Sequence, residues 1–137
     1  MIQPGTLLAQ AVAVSETGSL HRAIGWYVVG AMGLLGGWAL ILAILRKVPG
    51  RAFWAAFGVG VTGVLVQVGI GTWALSVDGV DPGNEHVFYG IVSVFSLAFA
   101  YIYRLQLSKR PALYYAILCL FLMGLGMRAI SNFGRSF

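Results

Sequence analysis

Charged residues are scarce in this sequence. Only 9% of its 137 residues are charged and 59% are hydrophobic, whereas soluble globular domains carry roughly 25% charged residues. So few charges cannot cover the surface of a soluble domain of this length, and the mean hydropathy of +0.86 agrees. The composition therefore excludes a soluble protein, and the apolar residues are expected to face lipid.

Cysteine is almost missing, and so are the short motifs of several common enzymes. The single cysteine, Cys119, cannot form a disulfide within the chain. The sequence has no phosphate-binding Gly-x4-Gly-Lys-[Ser/Thr], no His-Glu-x-x-His and no Gly-x-Ser-x-Gly. The function classes that depend on these motifs are therefore excluded.

Long apolar runs are what the sequence does contain. Four of them carry no charge, at 24–45, 52–76, 87–103 and 112–127. A bilayer core about 30 Å thick needs roughly 20 helical residues, and helices satisfy the backbone groups of such runs in lipid. We therefore predict an all-α, integral membrane four-helix bundle with up-down-up-down topology. Its predicted spans are about 21–45, 52–76, 86–107 and 112–133.

The first 20 residues form a separate outer N-terminal segment in this interpretation, and residues 21–137 form the bundle. An apolar stretch at 7–14 is too short to span a membrane. It either extends the first helix outward or lies in the membrane interface.

Charge is distributed unevenly between the two ends of the predicted bundle. Two connecting segments carry six of the nine basic residues: Arg46, Lys47, Arg51, Arg104, Lys109 and Arg110. All four acids belong to the other end: Glu16, Asp78, Asp81 and Glu85. Because basic loops stay cytoplasmic, we predict a multi-pass protein of the cell (plasma) membrane with both termini outside. The net charge of +5 then reflects topology and contact with membrane lipids, not nucleic-acid binding.

Glycine is abundant in the first two predicted helices. Gly33 and Gly36 lie on the first, and Gly60 and Gly63 on the second. Small residues let transmembrane helices approach closely, so we interpret these positions as sites of helix packing.

Two histidines stand at equivalent places in the predicted bundle. His21 opens the first helix and His86 opens the third, and each is followed four residues later by a glycine, Gly25 or Gly90. Residues four apart share a helix face, so each glycine is expected to leave space beside an imidazole for a flat macrocycle. Imidazole is a standard axial ligand of haem iron. The alternative is a pair of helix-end histidines that only form hydrogen bonds.

The recurrence of His-x-x-x-Gly predicts an internal repeat of two parallel helix pairs. Each pair starts with the motif and turns through a basic loop. A pseudo-twofold axis along the membrane normal relates such repeats and would place the two imidazoles on opposite sides of the bundle interior. One metal on that axis could then take one ligand from each pair.

The His21-Arg22 pair that opens one helix, with His86 opening the helix two further on, resembles one four-helix half of the haem A synthase family. The resemblance covers roughly residues 15–133. It implies that His21 and His86 are axial ligands of one haem near the outer face, held non-covalently (b-type) because no Cys-x-x-Cys-His is present. The family's catalytic glutamate position is Gly18 here, and its outer cysteine pair is absent. The resemblance therefore points away from that family's enzymatic reaction and toward electron transfer or haem handling.

Three further polar residues are candidate cofactor-binding residues. Arg128 lies within the apolar part of the fourth span and could pair with a haem propionate; alternatively it reaches outward to lipid phosphates. Arg22 is a second candidate for a propionate. Gln67 lies near the predicted haem depth on the second helix, where it either lines the site or links helices.

Three functions remain open at this point. The first is a membrane b-type cytochrome-like protein with a redox partner. The second is an accessory structural subunit of a larger respiratory or photosynthetic membrane complex. The third, a small transporter or channel, is least favoured because the helices lack a continuous polar stripe.

Overall fold

The computed structural model describes residues 3–134, with the side chains of 10–15 excepted. The helices are α1 (Pro4–Ile44), α2 (Arg51–Ser76), α3 (Asn84–Ile102), α4 (Arg104–Leu107) and α5 (Pro111–Ser131). No strand occurs within residues 3–134. Every helix except the short α4 is long and apolar enough to cross a membrane. The predicted all-α membrane bundle is confirmed, while the two chain ends lie outside the described residues.

Helix α1 is much longer than a bilayer requires. Its 41 residues span about 60 Å at the usual rise per residue, which is roughly twice the thickness of the bilayer core. It begins with Pro4. Proline suits the first turn because a backbone N–H at that position would have no acceptor within the helix. The apolar span within it starts at Glu16. The stretch at 7–14 therefore extends the first helix.

The third predicted span is interrupted near its basic end. Helix α3 stops at Ile102, Tyr103 leaves the helical conformation, and the single turn of α4 follows. Arg104 donates from its guanidinium to the carbonyl of Tyr101 at 2.8 Å and lies 4.4 Å from the centre of that tyrosine ring. The Tyr101 carbonyl also accepts a backbone N–H at this helix end, so the guanidinium is a second donor to it.

The core lies between α1, α2 and α5. Its members are apolar and well buried: Val28, Met32, Leu35, Ala39, Phe53, Val64, Ala116, Cys119, Leu122 and Leu125. Helix α1 packs most extensively on α5 and then on α2. By contrast α3, all of whose residues are described, contains no buried residue. It packs on α5 and touches α2 only sparsely.

Glycines make the close approach of α1 to its neighbours possible. A Cβ at Gly36 would lie 2.7 Å from the Leu120 side chain on α5. On α2, a Cβ at Gly63 would lie 3.0 Å from Tyr27. Both glycines therefore lie at close helix contacts, as the packing interpretation predicts for them.

Packing between the helix pairs departs from a two-fold arrangement. Within each pair, α1 with α2 and α3 with α5, the helices pack to a similar extent. A true two-fold axis would also make the α1–α5 contact equivalent to the α2–α3 contact. The first of these is the largest interface, and the second is the smallest of those that join two of the four long helices, so the bundle is partly open between α2 and α3.

Candidate functional site

His21 projects from α1 toward α2, where a glycine receives its ring. A Cβ at Gly71 would lie only 2.9 Å from His21 Cε1. Any side chain at this position would therefore displace the imidazole. The Nδ1 atom of His21 is buried and has no hydrogen-bond partner among the described residues.

Gln67, one helical turn before Gly71 on α2, contacts the same imidazole. Its Nε2 lies 3.4 Å from His21 Nε2, and its Oε1 is buried without a partner in the described part of the chain. The amide also fills the space beside Gly25, where a Cβ would lie 2.9 Å from Gln67 Nε2. In this structure the Gln67 side chain lies in the space beside Gly25, and the expected role of Gly25 in making room for a macrocycle stays a prediction.

His86 is fixed by the opposite pair of helices. Its Nδ1–H donates to the carbonyl of Ala129 at 2.7 Å, and its ring meets Phe133 edge-on with centroids 5.3 Å apart. Ala129 lies in the last turn of α5, where carbonyl groups have no partner within the helix. The histidine thus caps this helix end. Its Nε2 has no hydrogen-bond partner among the described residues.

The two imidazoles approach each other across the bundle. Their ring centroids are 5.8 Å apart and their planes are inclined at 63°. His21 comes from the middle of α1 and His86 from the first turn of α3. The structure therefore brings together the two histidines that the sequence singles out.

Both histidines line one cavity of about 1060 Å³. Residues from α1, α2, α3 and α5 form its walls, and Val80 and Pro82 of the α2–α3 connection close one end. Thr72 on α2 and Phe95 on α3 line the cavity and are also exposed. The cavity is thus open toward the lipid between α2 and α3, where these helices barely touch.

Most of the other predicted site residues also line this cavity: Arg22, Gly25, Gln67 and Gly90. Gly90 has no atom within 4 Å of the position of a Cβ, so open space lies beside it as expected. Arg22 is exposed and lies at the cavity rim.

Arg128 does not join the site. Its neighbour Ala129 lines the cavity, but Arg128 is exposed and absent from the cavity walls. The residues of α5 that line the cavity fall on one face, and Arg128 lies two turns along from the exposed Phe121. Arg128 therefore lies on a helix face turned away from the cavity, and its role toward a propionate stays a prediction.

Two contributors to the site escape sequence reasoning. Gly71 lies four residues after Gln67, a spacing that repeats the polar-x-x-x-Gly pattern of both histidines. That pattern was a usable signal. Ala129 acts through its backbone carbonyl, for which an alanine side chain gives no signal.

The described residues offer few ligands for a metal ion without a cofactor. In the part of the chain that the structure describes, no group of three or more His, Cys, Asp or Glu side chains could hold one. Among the described residues that line the cavity, the two histidines are the only His, Cys, Asp or Glu side chains.

No family model, curated protein or solved structure matches this chain. Any functional conclusion therefore depends on the site itself.

Proposed function

We propose that the protein binds one haem non-covalently through His21 and His86 and acts in electron transfer or haem handling. The observation that carries this proposal is the approach of two imidazoles from separate helices within one cavity, at 5.8 Å between centroids. Two imidazole nitrogens bound on opposite sides of a metal, at about 2 Å each, place the ring centroids roughly 6 Å apart. The observed spacing therefore suits shared ligation.

The hydrogen bond of His86 supports a ligand role. Metal-binding histidines usually donate their other ring N–H to a carbonyl or carboxylate, which fixes the tautomer. The bond from His86 Nδ1–H to Ala129 O is of this kind. It leaves Nε2 unprotonated and able to bind a metal.

The Gln67 amide can give His21 the same arrangement. Amide oxygen and nitrogen are interchangeable by a half-turn about the last side-chain bond. With Oε1 turned to His21, the imidazole Nε2–H donates to it, and the buried Oε1 gains the partner that it lacks. His21 Nδ1 is then unprotonated and available as a ligand.

Two protein ligands suit haem better than a bare ion. The porphyrin supplies four nitrogens of its own, so two imidazoles complete six-coordination. Haem held in this way would provide a one-electron redox centre without an open coordination position. The cavity volume of about 1060 Å³ is at the upper end of the range for small-molecule sites, and exposed Arg22 at its rim could receive a propionate.

The same proposal takes the chain to be related to one half of a haem A synthase. It also places the protein in the plasma membrane with both termini outside the cell. The acidic end of the bundle carries Glu85, directly before His86. Since basic loops remain cytoplasmic, the haem would lie near the outer face. A redox partner would then meet it from that side or from within the membrane.

A second candidate function is that of an accessory subunit in a larger membrane complex. The observation that favours it is the absence of buried residues on α3, whose described residues all keep some exposed surface. A neighbouring subunit could cover this helix. In that case the two histidines would hold no cofactor, or a chlorin.

Purification and spectroscopy test the proposal. Pyridine-haemochrome analysis should give one b-type haem per chain, and the reduced-minus-oxidised spectrum should be low-spin. His21→Ala and His86→Ala should each lose haem or become high-spin, because no methionine or cysteine is among the described residues that line the cavity. Ser93→Ala is the control, since Ser93 lines the cavity but hydrogen-bonds within its own helix.

A colourless protein, or two histidine variants with an unchanged low-spin spectrum, would contradict haem ligation. The accessory-subunit function would then be preferred.

A further inference from the structure

A second concave surface lies at the basic end of the bundle, remote from the histidines. It is a groove of about 400 Å³ between α3 and α5, lined almost entirely by apolar atoms. It extends from Ser96 on α3 to Tyr103 just after that helix, and on α5 from Tyr114 to Phe121. We call it the α3–α5 groove. It follows these helices for about 10 Å, roughly a third of the bilayer core.

The groove ends where uncompensated positive charge begins. Leu107 lines it, and Lys109 and Arg110 follow two and three residues later. Both side chains are exposed, and neither has an ion pair or hydrogen bond among the described residues. All four acids of the chain belong to the other end of the bundle.

The nearby Arg104 is already engaged and so is not counted with this pair. Its guanidinium donates to Tyr101 O and lies over the Tyr101 ring. At this end of the groove, Lys109 and Arg110 are therefore the cations that are free to bind an external anion.

We propose that the α3–α5 groove binds one anionic phospholipid, with an acyl chain along the groove and the phosphate at Lys109 and Arg110. An apolar groove that leads to free cations at the membrane surface matches the two parts of such a molecule. A zwitterionic lipid would fill the groove equally well but would gain less from the cations, because its headgroup carries no net charge. This site is independent of the histidines and of the proposed haem.

Native mass spectrometry of the detergent-solubilised protein tests this proposal. Titration with dioleoyl-phosphatidylglycerol should show one lipid bound more tightly than dioleoyl-phosphatidylcholine. Lys109→Gln combined with Arg110→Gln should weaken phosphatidylglycerol binding about 30-fold, since each cation near an anionic lipid surface contributes roughly fivefold. Lys47→Gln with Arg51→Gln removes two exposed cations from the other basic loop and should leave this binding unchanged.

A substitution in the groove tests the position of the acyl chain. Ile117 lines the groove and Ile41 lies outside it on α1, and both are 57% exposed. Ile117→Trp should therefore reduce binding of both lipids, whereas Ile41→Trp should not.

Three outcomes would overturn the proposal. They are equal binding of the two lipids, an equal loss from both pairs of charge substitutions, and unchanged binding in Ile117→Trp. A dimer whose formation depends on Ile117, with no bound lipid, would identify the groove as a contact between copies instead. If Ile117→Trp fails to fold, the charge substitutions decide the matter alone.

Discussion

At the scale of single residues, the two histidines are held by different means. His86 donates to a backbone carbonyl that the end of α5 leaves free, so its orientation follows from where that helix ends. His21 is positioned by the absence of a side chain at Gly71 and by the amide of Gln67. The first arrangement tolerates changes of side chain at position 129, whereas the second depends directly on residues 67 and 71.

The dependence on Gly71 gives a prediction with a matched control two residues away. In Gly71→Ala the new Cβ would lie 2.9 Å from His21 Cε1, so the imidazole must move. Overpacking of this kind costs about 1–3 kcal/mol, which corresponds to roughly five- to hundredfold weaker haem retention. In Gly69→Ala the Cβ meets nothing within 4 Å, and retention should stay unchanged. Titration of the haem-free protein with haemin measures both, and equal affinities would remove Gly71 from the site.

Sequence reasoning reaches the histidines and Gln67 but not the way in which they meet. Their depths follow from counting residues along helices, and the structure places all three on one cavity. The use of Gly25 depends on which side chain of α2 faces it, and hence on the register between two helices. The outward face of Arg128 likewise depends on the rotation of α5. Neither register nor rotation can be read from an apolar run that is hydrophobic on all sides.

At the scale of helices, the α1–α5 interface carries most of the packing. Association of helices in lipid gains little from the hydrophobic effect and depends on close van der Waals contact. Gly33 and Gly36 on α1 and Gly126 on α5 each lie where a Cβ would be within 3 Å of a side chain on the other helix. The lack of side chains at these glycines on both helices therefore lets α1 and α5 pack closely.

Adjacent glycines on α1 should respond oppositely to the same substitution. Gly36→Ala places a Cβ 2.7 Å from the Leu120 side chain and 3.2 Å from its backbone nitrogen, so α5 must shift. A cost of about 1–3 kcal/mol is expected, only partly offset by the better helix propensity of alanine, about 1 kcal/mol. Gly37→Ala meets nothing within 4 Å and should be neutral or stabilising. Unfolding of the solubilised protein in dodecyl sulfate, followed by circular dichroism, should separate the two, and equal midpoints would contradict this account.

The lengths of the long helices could be predicted because lipid imposes a minimum apolar length on each of them. The break at Tyr103 could not, because the apolar pattern continues past Arg104 without interruption. At the break the Arg104 guanidinium returns to the carbonyl of Tyr101, a local contact that an apolar pattern does not predict. The outward extension of α1 to Pro4 was one of two possibilities, since an apolar stretch at 7–14 suits both a helix and an interface.

At the scale of the whole molecule, the two ends differ in charge and in connection. At the acidic end the α2–α3 connection is tied to the end of the chain, where Gly134 N–H donates to Pro82 O at 2.6 Å. Asp81 accepts from Gly83 N–H within the same connection. The basic end instead carries exposed cations on both of its connections. A bundle with such ends is expected to insert with a single orientation, because basic loops resist translocation.

Labelling of single cysteines tests this orientation. Asp81 and Lys109 are both exposed, and α3 is the only membrane-crossing helix between them. The native Cys119 is fully buried, so it should not react with a membrane-impermeant maleimide and needs no replacement. In intact cells Asp81→Cys should label at once, whereas Lys109→Cys should label only after the membrane is permeabilised. Labelling of both from one side would contradict the four-span topology, and the reverse pattern would place the basic loops and both termini on the opposite sides to those proposed.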